Sequence, residues 1–341
     1  MAKQRFNAME RHYEITPKTV LFTFALLVFV WILFQIRLVA IALFIALIMS
    51  LTLDPLVEKL KSWKIPRPFG VFLVFFVFLV AVGGLLAYGF TPLVNQTGRF
   101  LINLPNFLGP VLDRLAPLPF AEGLQQQLVS QATVLSANIL TIAGSIVSNA
   151  VFLIALLVLT FYFMLDWENL RDRFVSMLNR KSQIRAKKII SSMELQLGGW
   201  LRGQLLLMVV VGVLTYLGLF ALGVEYALPL AVIAGLFEVI PSLGPIIGSI
   251  PALVVGFGTS PLLGIWILVL YVIIQQLENN ILVPKVMSKS AGFSPLGALI
   301  VLFVGGQLFG VLGILLAIPT AIVLSILARN VLNWNIDHRF K

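Results

Sequence analysis

Two carboxylates set in apolar surroundings are the first candidates for chemistry. Glu238 lies in an apolar run three residues before Pro241. Glu278 lies in Gln275-Gln276-Leu277-Glu278-Asn279-Asn280, near the end of a second apolar run. At helical spacing Gln275, Glu278 and Asn279 share one face, and Gln276 and Asn280 share the adjacent one. Acidic side chains at membrane depth are costly, so they are rare and usually tied to function. Amide and carboxylate oxygens in one stripe suit a pathway for a polar solute or a cation, and a carboxylate there can also carry a proton. The competing structural readings put the stripe at the cytoplasmic interface, or pair Glu278 with Lys285 or Lys289. No basic residue is near Glu238 in sequence, which favours a functional or network role for it.

Other chemistries find no residues to carry them. The sequence has no cysteine, which excludes disulfide frameworks, thiolate metal sites and cysteine nucleophiles. Its two histidines, His12 and His338, are near opposite termini. There is no G-x-x-x-x-G-K-[ST] phosphate cradle, no H-E-x-x-H and no G-x-S-x-G. The expectation is a protein that is not an enzyme, with no catalytic residue, metal or cofactor.

The elements that must position the two carboxylates are membrane helices. Of 341 residues, 60% are hydrophobic and only 11% are charged, too few to clothe a soluble surface. Mean hydropathy is +1.02. The solvent for the excess apolar surface is a lipid bilayer. A helical span needs about 20 apolar residues. Six runs qualify as full spans: Val20–Ile36, Leu38–Leu53, Phe69–Phe90, Ile146–Leu165, Leu205–Leu222 and Leu262–Val283. Two longer runs are broken by Gly and Pro. Leu228–Phe257 breaks around Pro241, Ser242, Leu243, Gly244 and Pro245; Leu296–Leu327 breaks around Gly305, Gly306, Gly310 and Gly313.

Charge sets the orientation. The net charge of +10 marks cytoplasmic loops under the positive-inside rule, not nucleic-acid binding. Basic residues crowd 1–18, 54–67 and 166–202, whereas 91–141 is balanced. That places both termini in the cytoplasm of a multi-pass inner-membrane protein. Lys285 falls on the cytoplasmic side only if Leu228–Phe257 enters and leaves by one face. We therefore expect an all-α polytopic fold of about six full spans plus two re-entrant hairpins, the alternative being eight spans. Four regions follow: 1–90 with the first three spans; 91–145, an extracytoplasmic amphipathic helical segment; 146–204, a span and a basic cytoplasmic helical loop; and 205–341, the transport region. In the second, Phe100, Leu104, Phe107, Leu108, Val111, Leu112 and Leu115 recur at helical steps. Such a helix would lie on the membrane or pack on a neighbouring subunit, so a homo-oligomer is expected. Within Gly198-Gly-Trp-Leu-Arg-Gly-Gln204, Trp and Arg read as an interfacial anchor.

Discontinuous apolar segments mark transporter sites at mid-membrane depth. The candidate pathway residues are therefore Glu238, Pro241, Ser242, Gly244 and Pro245; Gln275, Gln276, Glu278, Asn279, Asn280 and Pro284; and Gly305, Gly306, Gln307 and Pro319.

The stretch Glu238-Val-Ile-Pro-Ser-Leu-Gly-Pro-Ile-Ile-Gly-Ser-Ile-Pro251 resembles the AI-2E family of exporters. The likeness continues through Gln276-Leu-Glu-Asn-Asn-Ile-Leu-Val-Pro284 and the Gly305, Gly306, Gly310, Gly313 and Pro319 series. It covers the C-terminal half in motif order and the whole chain in hydropathy. It singles out Glu238, Pro241, Gly244, Pro245, Glu278, Asn279 and Pro284 as motif positions. The resemblance implies export of the quorum-sensing signal autoinducer-2, with some members resembling Na⁺(Li⁺)/H⁺ antiporters. The leading reading is a secondary transporter exporting a small polar solute, followed by a Na⁺(Li⁺)/H⁺ antiporter. A non-transporting membrane scaffold is the reading from another class.

Overall fold

A computed structural model describes residues 35–115, 150–241, 243–286 and 295–339, with Phe24, Val28, Trp31 and Val134. The chain divides into two compact units, Met1–Ile45 and Ala46–Lys341. In the first, Phe24, Val28, Trp31 and Gln35 are helical and helix α1 (Arg37–Ser62) begins. The expected span Val20–Ile36 lies largely outside the described residues. All contacts discussed below are within the second unit.

Among its described residues that unit consists of helices joined by short turns. After α1 come α2 (Arg67–Leu115), α3 (Ala150–Ser176), α4 (Arg180–Ala221), α5 (Ala227–Phe237), α6 (Gly244–Thr259), α7 (Pro261–Leu277), α8 (Val283–Val286) and α9 (Pro295–Arg339). Among the described residues six helices are long and apolar enough to cross a bilayer, while α5 and α6 are shorter. The protein is thus an all-helical, multi-pass membrane protein.

Both broken runs fold back on themselves. Between α5 and α6 the chain turns at Glu238–Leu243. A Cβ on Gly248 would meet Ala234, and one on Gly244 would strike the Phe237 carbonyl, so the two arms touch backbone to backbone. Phe107 of α2 contacts both ends of this hairpin: its ring packs on Tyr226 just before α5, and its backbone lies against Gly258 at the end of α6. A full crossing would separate those ends by about 30 Å. The run therefore enters and leaves by one face, and α7 carries the chain across to Lys285.

The second hairpin is hidden inside α9. Phe309 and Gly310 leave helical geometry, Gly310 with φ 60° and ψ −139°, a conformation open mainly to glycine. Gly305 and Gly313 then meet through their backbones, and Gly306 meets Ile314. Residues eight apart in a straight helix would be about 12 Å from each other.

The amphipathic stretch at 100–112 differs from expectation. It is no separate surface helix but the continuation of α2, and it packs on the ends of the first hairpin. Phe100, Leu104 and Phe107 join Val224, Tyr226 and Leu230 in one core cluster. Its apolar face finds its partner within the same chain, because the hairpin ends present an aromatic and glycine surface at that level.

Small residues set the remaining crossings, as is usual where lipid gives helices no hydrophobic reason to associate. Gly212 and Gly235 bring α4 against α5, and Gly256 and Gly264 bring α6 against α7. Gly198 of α4 lies directly on the Leu51 carbonyl of α1. That carbonyl lacks its helical partner because Pro55, four residues on, has no N–H. Arg202 supplies the missing donor, its guanidinium reaching the carbonyls of Leu51 at 3.0 Å and Thr52 at 3.2 Å.

At the basic ends of the helices Arg67 gathers three carboxylates: Asp54 at 2.9 Å, Glu58 at 2.9 Å and Glu168 at 2.8 Å. One guanidinium fork ties α1, α2 and α3, a geometry an ammonium cannot reproduce. Arg67→Met should lower stability by about 1–2 kcal/mol, partial exposure of the acids moderating the loss. Arg67→Lys should recover less than half of it, as read by thermal unfolding in detergent.

Candidate functional site

The first hairpin places its turn beside α4 and the far end of α7. Glu238 ends α5, where the last carbonyls of any helix lack intrahelical donors. In a membrane such groups need a protein partner. Gln204 of α4 provides one, its side-chain amide donating to the Glu238 carbonyl oxygen. Gln204 is 1% exposed and Glu238 1% exposed, so this junction is sealed within the protein.

Glu278 reaches the junction from the end of α7. There α7 widens into a five-residue π-turn, Glu278–Leu282, closed by the Val283 N–H on the Glu278 carbonyl. The widening runs into Pro284, which has no N–H to continue the normal ladder. Single π-turns inside helices occur frequently at functional sites. The turn directs Glu278 inward, where it is 4% exposed. Its carboxyl meets that of Glu238, and Gln275 Nε2 donates to Glu278 Oε2 at 3.3 Å. Glu238 Oε2 is buried with no hydrogen-bond partner among the described residues.

The site is thus a buried pair of carboxyl groups flanked by two amides and one helix-end carbonyl. No lysine or arginine faces either carboxyl among the described residues. The pairing of Glu278 with Lys285 is therefore not what the fold builds; Lys289 lies outside the described residues. Two carboxylates in contact repel unless a proton or a cation stands between them.

The remaining sequence candidates separate into groups. Pro241 is in the turn, and Gly244 and Pro245 start α6, buried against α5. Ser242 lies outside the described residues. Gln276, Asn279 and Asn280 face away from the pair and are exposed, with Asn280 Nδ2 donating to Gln276 Oε1 at 2.9 Å. Pro284 is also exposed and acts through the backbone. Gly305, Gly306, Gln307 and Pro319 belong to the second hairpin, which packs on α4. It does not reach the carboxyl pair. Gly305 and Gly306 form the arm-to-arm contact, Gln307 is exposed and Pro319 is buried.

Sequence reading assigns no role to three polar groups and a different role to a fourth. Gln204 closes the hairpin junction, and Arg202, expected as an interfacial anchor, instead closes the gap left by Pro55. Thr215 and Tyr271 are buried, with hydroxyls that have no partner among the described residues. Tyr271 precedes Glu278 by seven residues on α7, and Thr215 follows Gln204 by eleven on α4, so each shares a face with a site residue. The available signal was a polar side chain recurring at helical spacing inside an apolar run.

A multi-pass helical protein with a re-entrant hairpin and buried acidic groups at its tip has the form of a secondary transporter. The AI-2E family transporter model matches residues 20–333, and the chain belongs to that family. It is similar to YrrI of Bacillus subtilis, 27% identical over 315 residues and 89% of each chain. It is also similar to the AI-2 transport protein TqsA of Escherichia coli, 30% identical over 298 residues, 84% of this chain and 83% of that one. A sodium-lithium/proton antiporter of Halobacillus andaensis is 26% identical over 327 residues, 87% of this chain and 91% of its own. The family is one of transporters rather than enzymes.

Proposed function

We propose that this transporter exchanges protons for a small monovalent cation at the Glu238–Glu278 pair. The observation that carries the reading is the buried contact of two carboxyl groups with no basic residue beside them among the described residues. Such a pair holds either a proton or a cation, and exchange of one for the other is antiport. Helix-end carbonyls beside a broken segment are a recurrent cation ligand in transporters, and Glu238 ends the half-length helix α5. Hard oxygen donors suit Na⁺ or Li⁺. The likeness to a sodium-lithium/proton antiporter agrees with this reading.

A second reading is export of a small polar solute resembling autoinducer-2, favoured by the likeness to TqsA. The same pair would then couple proton movement to solute movement.

The accompanying assignments are an inner-membrane location with both termini in the cytoplasm and the four-region plan, with 205–341 as the transport region. We also assign a homo-oligomer. Gln276, Asn279 and Asn280 are exposed on the single chain near the end of a spanning helix, and amides facing lipid need a covering partner.

Reconstituted protein in liposomes with an imposed pH gradient tests the choice. Antiport predicts collapse of the gradient on adding Na⁺ or Li⁺. Autoinducer-2 flux without any cation response would instead establish the exporter reading, and silence to all three would reject both.

A further inference from the structure

The crevice between α1 and α2 has the shape and charge of a lipid site. It encloses about 370 Å³ and is walled by Leu56, Leu60 and Trp63 on one side and Leu73, Val77 and Phe78 on the other. Its single charged lining residue is Lys59. Residues Leu56, Trp63, Leu73 and Val77 are exposed on the chain, so the crevice opens to the surroundings of the helices. Its polarity is ordered along its length. Lys59 and Trp63 stand at the α1 end, beside the loop where α1 and α2 join, and Ala81 lines the deep end. From the start of α2 to Ala81 is about 20 Å at helical rise, so the crevice runs from the membrane surface into the hydrocarbon.

The neighbouring charges are already divided. Arg67 is occupied by three carboxylates, and Lys61 pairs with Glu58 at 3.5 Å. Lys59 and Lys64 enter no ion pair among the described residues. An apolar slot with an unneutralised ammonium at its surface end matches a molecule with a long apolar tail and an anionic head. A purely apolar partner surface would leave Lys59 without a counter-charge, whereas a phospholipid phosphate supplies one. We propose that this crevice binds one anionic phospholipid, an acyl chain between α1 and α2 and the phosphate on Lys59. The site is independent of the carboxyl pair and of the transported substrate.

Trp63 reports on the crevice directly. The full chain would be reconstituted in phosphatidylcholine bilayers containing either phosphatidylglycerol or phosphatidylcholine brominated on the acyl chain. The Trp63 share of fluorescence quenching is the difference between wild type and Trp63→Phe. Brominated phosphatidylglycerol should reach half-maximal quenching of that share at about fivefold lower mole fraction than brominated phosphatidylcholine, the effect of one basic residue on an anionic lipid. Lys59→Gln should abolish the preference and Lys59→Arg should keep it. Equal quenching by the two lipids would overturn the proposal, as would a preference surviving in Lys59→Gln. Absence of Trp63 quenching by either lipid would also overturn it, showing a protein surface in the crevice.

Discussion

Glu238→Gln is expected to lower cation-driven proton exchange by about 10–100-fold, the scale of losing one charged hydrogen-bonding group. The protein should remain folded. Glutamine has nearly the same shape, and the bond from Gln204 is to the Glu238 backbone carbonyl, which the substitution keeps. Removing one of two touching carboxyls also relieves their repulsion, so the thermal midpoint should hold or rise. Activity lost with stability retained is the signature of a group kept for function. Glu278→Gln should behave alike, and the double variant should be little worse than either single one, because the two carboxyls act as one site. Each variant would be assayed in liposomes under the same pH gradient, with thermal unfolding in detergent as the companion measurement. Retention of more than half the wild-type exchange in both single variants would remove the pair from the mechanism.

Gly313→Ala should produce a large loss of stability. A Cβ there would run into the Gly305 carbonyl, and the obstacle is backbone that cannot rotate away. Overpacking a tight contact costs about 1–3 kcal/mol, occasionally more, and here the upper end is expected. The second hairpin should open, loosening its packing on α4 and with it the position of Gln204. Gly83→Ala is the control: nothing lies within 4 Å of a Cβ at Gly83, so stability should hold or rise slightly. Thermal unfolding compares the three proteins. Equal midpoints for Gly313→Ala and Gly83→Ala would show that the arms do not press together as described.

The hairpins were legible because their cause is local. Pro241, Gly244 and Pro245 cannot continue a helix, and the position of Lys285 required an even number of crossings. The turn of the second hairpin was legible too, in Gly310. What the sequence did not disclose was which broken segment meets which carboxylate. Glu238 and Glu278 are forty residues apart, and their contact depends on how α4, α5, α6 and α7 pack through Gly212, Gly235, Gly256 and Gly264. Helical spacing placed Gln275, Glu278 and Asn279 on one face, but the π-turn shifts the register after Glu278 and leaves Asn279 exposed. Periodicity found the amphipathic residues at 100–112, yet gave no sign that their partner was the chain's own hairpin. Gln204 escaped and Arg202 was read as an anchor because each satisfies a backbone carbonyl, and backbone needs are not written in side-chain patterns.

Proton release on cation binding tests the central assignment most directly. Purified protein in weakly buffered detergent solution, containing a pH indicator, would be titrated with NaCl or LiCl and with choline chloride as the control. Exchange at the Glu238–Glu278 pair predicts acidification with Na⁺ or Li⁺, none with choline, and none from Glu238→Gln. Cation binding without proton release, or release undiminished in both Glu238→Gln and Glu278→Gln, would contradict it.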